Sequence, residues 1–181
     1  MRIITGTARG TRLQTLEGEN TRPTSEKVKE AIFSIIQFDL QDKRVLDLFG
    51  GSGQLALEAL SRGAEFAVIA DNSREATEII KANAQKTKLM PKCRIVTTDW
   101  KDFVKNCKEQ FSLVFLDPPY KDGLLDEIIN LMIEKNIIAD NAIIVCESGI
   151  DGVLVPMDDA VQKCYRYGST YITVVRKGVP E

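Results

Sequence analysis

The chain has no histidine among its 181 residues. Imidazole is the commonest general base and the commonest side-chain metal ligand in enzymes. Any chemistry that this chain performs must therefore use other side chains, and we predict no metal site.

Cysteine is scarce as well, and its four positions are widely separated, without a C-x-x-C pair. This spacing argues against a zinc knuckle and a disulfide framework, so we predict free thiols.

The longest apolar runs, such as 114–116 and 143–145, are far shorter than the roughly 20 residues that a membrane span needs. The first residues also lack the apolar stretch of an export signal. We therefore expect a cytoplasmic protein with no membrane partner.

Positive charge is limited, with 24 basic against 26 acidic residues and a net charge of −2. Two segments nevertheless contain basic residues and no acidic ones. They are 1–16, with Arg2, Arg9 and Arg12, and 161–177, with Lys163, Arg166, Arg176 and Lys177. Such patches can contact phosphates, although an ordinary solvated surface explains the charges equally well.

From residue 44 onwards, short apolar runs alternate with helical patterns. The predicted strands are 44–48, 66–70, 93–97, 111–116 and 142–147, and the predicted helices lie near 53–62, 73–87, 101–107 and 124–135. This alternation indicates an α/β fold with a mostly parallel, doubly wound sheet. Two further strands, 161–166 and 169–176, are separated by a single turn and are predicted to form an antiparallel hairpin at one sheet edge.

The N-terminal region has a different pattern. Residues 2–5 and 11–16, around Gly6 and Gly10, predict a small β-hairpin with Arg9 near its turn. A loop follows, and then a helix capped by Thr24 or Ser25, with an apolar stripe at Val28, Ala31, Ile32, Ile35 and Ile36. We predict one domain over 1–181, in which 1–23 form an arm and 24–181 form the catalytic core.

Three glycines, Gly50, Gly51 and Gly53, lie between the first core strand and the next helix. Glycine suits a tight turn that must approach a ligand closely. Gly51-x-Gly53-x-x-Ala56 fits the dinucleotide-binding fingerprint, and Asp71 follows about 20 residues later, where a carboxylate can accept hydrogen bonds from ribose hydroxyls. This loop alone fits a nicotinamide cofactor as well as S-adenosylmethionine.

Asp47 distinguishes the two cofactors, because it lies in the strand just before the glycines. A carboxylate attracts the ammonium and sulfonium groups of S-adenosylmethionine and repels a pyrophosphate. Asp99 follows the third strand, where it can accept a hydrogen bond from adenine or cap the next helix; for Trp100, packing in the core is favoured over stacking on the ring. The predicted cofactor-binding residues are Asp47, Phe49, Gly50, Gly51, Gly53, Asp71, Asn72, Asp99 and Trp100.

The run Asp117-Pro118-Pro119-Tyr120 follows the apolar strand 111–116, at the strand end where open α/β sheets bind ligands. Two prolines make the turn stiff. An exocyclic amine on a purine needs no strong base before it attacks; it needs its N–H groups held and its lone pair aimed. Asp117 and the Pro118 carbonyl can accept the two N–H bonds, and Tyr120 can stack on a flipped base. These four residues are the predicted catalytic residues, and the alternative is an ordinary proline-rich turn.

The motifs resemble those of class I methyltransferases that modify amino groups, and nearly the whole chain resembles the RsmD family. That family methylates the N2 amine of a guanine in small-subunit (16S) ribosomal RNA. The matching segments are RIITG and RG at 2–6 and 9–10, TRPT and VKEAIF at 21–24 and 28–33, DLFGGSG at 47–53, EALSRGA at 58–64, and DPPY at 117–120. The departure is Asp71, which family members often replace with glutamate.

The resemblance implies a Rossmann-like sheet of seven strands whose last hairpin is antiparallel, with S-adenosylmethionine as the methyl donor. It implies ribosomal RNA as the partner, free or within an assembled ribosomal particle, and a monomeric enzyme. It also places Arg22, Pro23 and Thr24 close to cofactor and substrate. The predicted RNA-binding residues are Arg2, Arg9, Arg12, Arg22 and Thr24.

Three other functions fit parts of the sequence. A DNA adenine-N6 methyltransferase uses the same amine-holding residues, but such enzymes usually add a target-recognition domain, for which this chain has no room. A nicotinamide-dependent oxidoreductase is disfavoured by Asp47 and the Asp-Pro-Pro-Tyr run. A binding module with a Rossmann-like fold has no need for both Asp117 and Tyr120.

Overall fold

The computed structural model describes residues 1–16, 26–119, 123–149 and 156–178. Within these ranges the helices are α1 (Glu26–Ile35), α2 (Gln54–Ser61), α3 (Arg74–Lys86), α4 (Trp100–Asn106) and α5 (Leu124–Glu134). The strands are β1 (Arg44–Asp47), β2 (Phe66–Asp71), β3 (Cys93–Thr97), β4 (Phe111–Leu116), β5 (Ile138–Ser148), β6 (Ala160–Tyr167) and β7 (Thr170–Lys177). None of the helices in the described ranges is long and apolar enough to cross a membrane.

The seven strands form one sheet in the order β3-β2-β1-β4-β5-β7-β6. The first five strands pair in parallel, whereas β7 pairs antiparallel with both β5 and β6. The predicted fold class and the antiparallel C-terminal hairpin are therefore confirmed. The chain order changes direction between β1 and β4, which places a crevice at the carboxyl ends of these two strands.

Both faces of the sheet are covered by helices. The arm, α1, α2 and α3 contribute to the core on one face, and α4 and α5 contribute to the core on the other. Phe33 of α1 packs against Phe115 of β4 with ring centroids 5.9 Å apart. Alternate residues of β4 enter opposite cores, because neighbouring side chains in a strand point to opposite faces. The four cysteines are free thiols, as predicted.

Two elements differ from their predictions. Strand β5 begins at Ile138 rather than 142, and its pairing with β4 shifts register after Ile138. Asn141, with a φ of 57°, interrupts the apolar pattern there, so the pattern does not predict that the strand begins at Ile138. The N-terminal hairpin is reduced to a single antiparallel bridge between Arg2 and Arg12.

The arm forms so little sheet because its backbone also bonds to α2. Ile4 and Thr5 donate their backbone N–H groups to the Glu58 carboxylate at 2.8 and 3.0 Å. Ser61 Oγ accepts from the Ala8 N–H at 3.0 Å and donates to the Thr5 carbonyl at 2.6 Å. Side chains of α2 thus satisfy backbone groups that a longer ladder would have paired.

Glu58 is also the centre of a buried charge cluster. It is fully buried and lies 3.6 Å from the equally buried Lys29 Nζ, and it accepts a 2.8 Å hydrogen bond from Arg62 Nε. Burial lowers the pKa of Lys29, although Glu58 opposes that shift. Because the pair is shielded from water, loss of one partner would leave an uncompensated buried charge. The cluster therefore ties the arm, α1 and α2 into one unit.

The surroundings of Gly6 show how closely the arm packs against α2. A Cβ at this position would lie 1.8 Å from the Ser61 carbonyl oxygen, and the φ of Gly6 is +88°. Gly10 has a similar φ of +82° but open space around a Cβ. We expect Gly10→Ala to lower the free energy of unfolding by about 1–2 kcal/mol, the cost of left-handed backbone. Gly6→Ala should add about 1–3 kcal/mol for the collision.

Urea unfolding measures the two free energies, and trypsin cleavage after Arg9 or Arg12 measures release of the arm. The Gly6→Ala variant should be cleaved in the arm faster than the Gly10→Ala variant. Equal stability and equal cleavage of the two variants would contradict the docking of the arm on α2.

Candidate nucleotide and cofactor site

The glycine loop after β1 has the shape that the sequence predicts. A Cβ on Gly50 would lie 2.6 Å from Ile69 Cγ2 and 2.9 Å from Ile80 Cδ1, so this position needs glycine for packing. Gly51 and Gly53 have φ values of +56° and +76°, and Gly53 caps the N-terminus of α2. The space where a Cβ of Gly51 would lie contains no protein atom within 4 Å among the described residues. Backbone is thus exposed to a ligand at Gly51.

Asp71, at the end of β2, fixes this loop. Its Oδ2 accepts a hydrogen bond from the Gly51 N–H at 2.8 Å, and its Oδ1 accepts from the Ser73 N–H at 2.8 Å. A carboxylate has about four acceptor positions, so lone pairs remain for ribose hydroxyls. Asn72 follows as an exposed residue. Asp71 has a structural function that sequence reasoning did not predict, beside its predicted ligand contact.

Asp47, at the end of β1, is buried, with 2% of its surface exposed. Burial raises the pKa of Asp47 to about 7; the backbone N–H of Ala56 opposes this shift, the Asp71 carboxylate adds to it, and the Phe49 N–H opposes it. Oδ1 of Asp47 has no hydrogen-bond partner in the described part of the chain. A buried carboxylate oxygen without a partner is costly, and a cationic ligand would satisfy it.

Asp117 follows β4 directly, on the strand next to β1. Asp47 pairs in register with Phe115, so Asp117 lies two residues further along the neighbouring strand. Asp117 is half-buried, Pro118 is buried and Pro119 is exposed. The topology therefore brings Asp47 and Asp117 to the same edge of the sheet.

Asp99 and Trp100 lie at the start of α4, beyond β3. Asp99 caps the helix, because its side chain accepts from the Lys101 N–H at 2.8 Å. Trp100 is half-buried and packs, together with Phe49, against the core on the α4 and α5 face. The capping alternative for Asp99 and the packing interpretation of Trp100 are thus present in the structure, while their contacts to adenine remain predictions.

The three arginines of the arm are exposed: Arg2, Arg9 and Arg12. No described carboxylate lies within ion-pair distance of them. Arg2 and Arg12 are bridge partners, so their side chains leave the same face of the arm. Like charges directly opposite each other are destabilising in the absence of an anion. The pair is therefore arranged to suit a phosphate.

The second basic segment is largely engaged within the fold. Arg176 pairs with Asp39 at 2.8 Å, and Lys177 pairs with Asp140 at 3.0 Å. Arg166 donates to the Gly168 carbonyl, while Lys163 is exposed. Of the two interpretations that the charges of 161–177 left open, these contacts favour an ordinary surface over a phosphate-binding patch. Tyr120, Arg22 and Thr24, by contrast, lie outside the described residues.

Sequence reasoning missed three buried polar residues near the site. Glu147 and Ser148 end β5, and Glu147 comes one residue after Cys146, the register partner of Leu116. Asn83 lies on the buried stripe of α3, three residues after Ile80. A polar residue on an apolar helical stripe indicates a buried hydrogen-bonding group, and this signal was present in the sequence for Asn83.

Together these residues place carboxylates and exposed loop backbone at one end of the sheet. Asp47 can hold a cation, Asp71 can bind hydroxyls, and Asp117 with the Pro118 carbonyl can accept N–H bonds. Such a set suits a cationic nucleoside ligand and a substrate amine, and it does not suit a polyphosphate.

Comparisons with known proteins identify the family of the chain. A family model described as Conserved hypothetical protein 95 matches residues 1–176. Ribosomal RNA small subunit methyltransferase D of Escherichia coli K12 is 35% identical over 154 residues, covering 85% of this chain and 77% of that protein. The Bacillus subtilis protein YlbH is 33% identical and covers 98% of this chain and 99% of its own length.

Among solved structures, the Escherichia coli protein yhhF superposes with a TM-score of 0.88. It is 31% identical, with 99% of each chain covered. A family model over nearly the whole chain and two relatives above 30% identity are decisive. The chain therefore belongs to the Conserved hypothetical protein 95 family, the RsmD family that its sequence motifs resemble.

Proposed function

We propose that this chain is a ribosomal RNA methyltransferase that uses S-adenosylmethionine to methylate the exocyclic N2 amine of a guanine in small-subunit ribosomal RNA. The observation that carries the proposal is the placement of Asp47 and Asp117 at the carboxyl ends of the adjacent parallel strands β1 and β4. One carboxylate suits the cationic methyl donor, and the other suits the amine that receives the methyl group. The relative's name supplies the polymer.

S-adenosylmethionine fits the residues at this edge. Its ammonium group matches the buried Oδ1 of Asp47, which has no hydrogen-bond partner among the described residues, and its ribose hydroxyls match Asp71. The open space at Gly51 lets the ligand approach loop backbone. When bound, the cofactor supplies an electrophilic methyl group on a sulfonium. The residues that we propose hold the cofactor are Asp47, Phe49, Gly50, Gly51, Gly53, Asp71, Asn72, Asp99 and Trp100.

The substrate amine needs orientation rather than deprotonation before it reacts. Its lone pair is delocalised into the ring, and acceptors on both N–H groups favour the form in which that lone pair is localised on nitrogen. The Asp117 carboxylate and the Pro118 carbonyl are such acceptors, and buried Pro118 keeps them in place. A nearby carboxylate also stabilises the positive charge that develops on nitrogen as the new N–C bond forms and the sulfonium C–S bond breaks. The Asp117 carboxylate can then accept the proton that the methylated nitrogen must release. This mechanism requires no histidine.

The arm is the proposed RNA contact. Arg2 and Arg12 leave the same face of the arm, Arg9 lies at its turn, and all three are exposed. Phosphate contacts supply most of the affinity for nucleic acid and position the target base. Because the arm is bonded to α2, RNA held on the arm lies at a fixed position relative to the sheet.

Replacement of both Arg2 and Arg12 with alanine tests this contact. We expect the KM for RNA to rise on the order of tenfold at 0.1 M salt, because two phosphate contacts are lost. The slope of log affinity against log salt should fall by about 1.4–1.8 in magnitude. The matched control is Lys105→Ala with Lys108→Ala, which removes the same charge from exposed residues at the far end of α4. Equal loss in the two double variants would refute a local contact.

The test of the activity is transfer of a radiolabelled methyl group to RNA and to small ribosomal subunits from a strain that lacks the protein. Mapping of the labelled base should give N2-methylguanine at one position. Labelling of adenine N6 in DNA would favour the alternative methyltransferase. Calorimetric titration with S-adenosylmethionine and with NAD tests the cofactor, and preferential binding of NAD would refute the proposal.

A further inference from the structure

Asn83 is fully buried on α3, and its side-chain amide joins two other segments of the chain. Oδ1 accepts a hydrogen bond from the Gln14 backbone N–H at 2.8 Å. Nδ2 donates to the Gln14 carbonyl and to the Ser52 carbonyl, each at 2.9 Å. One side chain therefore bonds both to Gln14 of the arm and to Ser52 of the glycine loop.

These bonds fix the orientation of the amide, because only its NH₂ group can donate to two carbonyls. The Ser52 carbonyl belongs to the same peptide as the Gly53 N–H, which closes the loop by donating to the Gly50 carbonyl at 2.6 Å. Rotation of that peptide would break both the bond to Asn83 and the bond to Gly50. Asn83 therefore helps to determine the shape of the loop.

The other residues that anchor the arm bond it to α2 rather than to the glycine loop. Glu58 and Ser61 bond the arm to α2 near residues 4–8. Gln14 lies near the other end of the described part of the arm, residues 1–16, two residues after Arg12. Displacement of Gln14 would remove the partners of Asn83 Oδ1 and of one Nδ2 hydrogen, and leaving these buried atoms unpaired is costly. The positions of the arm and of the loop thus depend on the same buried amide.

We infer that Asn83 is a positioning residue that couples RNA binding on the arm to cofactor binding at the glycine loop. This inference rests on the proposed function, which assigns RNA to the arm and S-adenosylmethionine to the loop. RNA that holds the arm keeps Gln14 against Asn83, and Asn83 then holds the loop in the shape that the cofactor meets. Because such coupling is reciprocal, bound cofactor strengthens RNA binding by the same factor.

Calorimetric titration of the full chain with S-adenosylhomocysteine, with and without saturating small-subunit ribosomal RNA transcript, measures the coupling. In the wild type, RNA should tighten S-adenosylhomocysteine binding by about fivefold or more. In Asn83→Leu, which keeps the buried volume and removes all three bonds, RNA should leave the affinity unchanged. The matched control is Thr87→Val, since the partners of Thr87 Oγ1 among the described residues are the Asn83 and Ala84 carbonyls of α3. It should keep the coupling, although it also removes a buried polar group of α3 that donates to backbone carbonyls.

A second measurement needs no RNA. S-adenosylhomocysteine should slow trypsin cleavage after Arg9 or Arg12 in the wild type and in Thr87→Val, and should leave cleavage of Asn83→Leu unchanged. Equal protection of Asn83→Leu and the wild type, or no protection of the wild type, overturns the inference. If the wild type binds S-adenosylhomocysteine but no RNA, the proposed substrate is wrong, and the trypsin measurement still decides whether Asn83 links the arm to the loop.

Discussion

Replacement of Asp117 with alanine should lower the rate of methyl transfer by at least about 100-fold, the effect of removing one preorganised group that stabilises developing charge. The affinity for S-adenosylmethionine should change little, because Asp47 and the glycine loop lie on other segments. The rate loss should appear in kcat, since Asp117 acts on the amine as its charge develops. Single-turnover transfer to RNA and calorimetric titration of the cofactor measure the two quantities.

Two further variants make the result specific. Asp117→Asn keeps the shape and one acceptor oxygen but removes the charge, so it should remain well below the wild-type rate. Asp140→Ala removes a carboxylate from the start of β5, where Asp140 is 96% exposed and pairs with Lys177. That control should transfer methyl groups at the wild-type rate. Near-normal turnover of Asp117→Ala would refute the proposed function of this residue.

The sheet could be predicted closely because its strands are short apolar runs bounded by polar residues. The predicted strand 111–116 coincides with β4, and the predicted strand 93–97 coincides with β3. The start of β5 could not be predicted, because Asp140 and Asn141 break the apolar pattern and Ile138 joins the sheet through its pairing with Phe111 of β4. The arm could be located but not described, since its partners, Glu58 and Ser61, lie more than 50 residues away.

The site was predictable to the extent that it depends on strand ends. Parallel strands present their carboxyl ends at one edge, so Asp47, Asp71 and Asp117 had to meet there once the alternation of strands and helices was recognised. The hydrogen bonds between these residues and the loop were not predictable. Asp71 accepts a hydrogen bond from Gly51, and Asn83 of α3 donates one to Ser52. Both bonds depend on tertiary packing that no local sequence pattern encodes.

Asp47 should make cofactor binding depend on pH near neutrality. In the free protein burial raises the pKa of this carboxyl to about 7, and only the ionised form attracts an ammonium group. Affinity for S-adenosylmethionine should therefore fall by about tenfold for each pH unit below about 7. Binding at pH 6 should also release a proton, so the calorimetric enthalpy should vary with the ionisation enthalpy of the buffer.

The Asp47→Asn variant separates loss of this charge from loss of the fold. At pH 7.5 we expect its affinity for S-adenosylmethionine to be roughly 10- to 100-fold weaker, the effect of losing a hydrogen bond to a charged group, with little dependence on pH between 5.5 and 7.5.

The stability of the free wild-type protein should depend on pH in the opposite direction from its cofactor affinity, because stability should fall as pH rises. A carboxyl whose folded pKa is raised contributes stability that is complete below its unfolded pKa and is lost as pH rises through the folded value.

The wild type should therefore lose stability between pH 5 and 8, while Asp47→Asn, which has no charge to bury, should lose less and be the more stable protein at pH 8. Urea unfolding at the two pH values checks this order, with Asp140→Asn as an exposed control that should behave as the wild type. A variant that loses both stability at pH 8 and cofactor affinity would show that Asp47 is needed for packing. Greater stability with weaker binding would show that the buried Asp47 carboxylate destabilises the free protein. It would also show that the positive charge of the bound ligand compensates this cost.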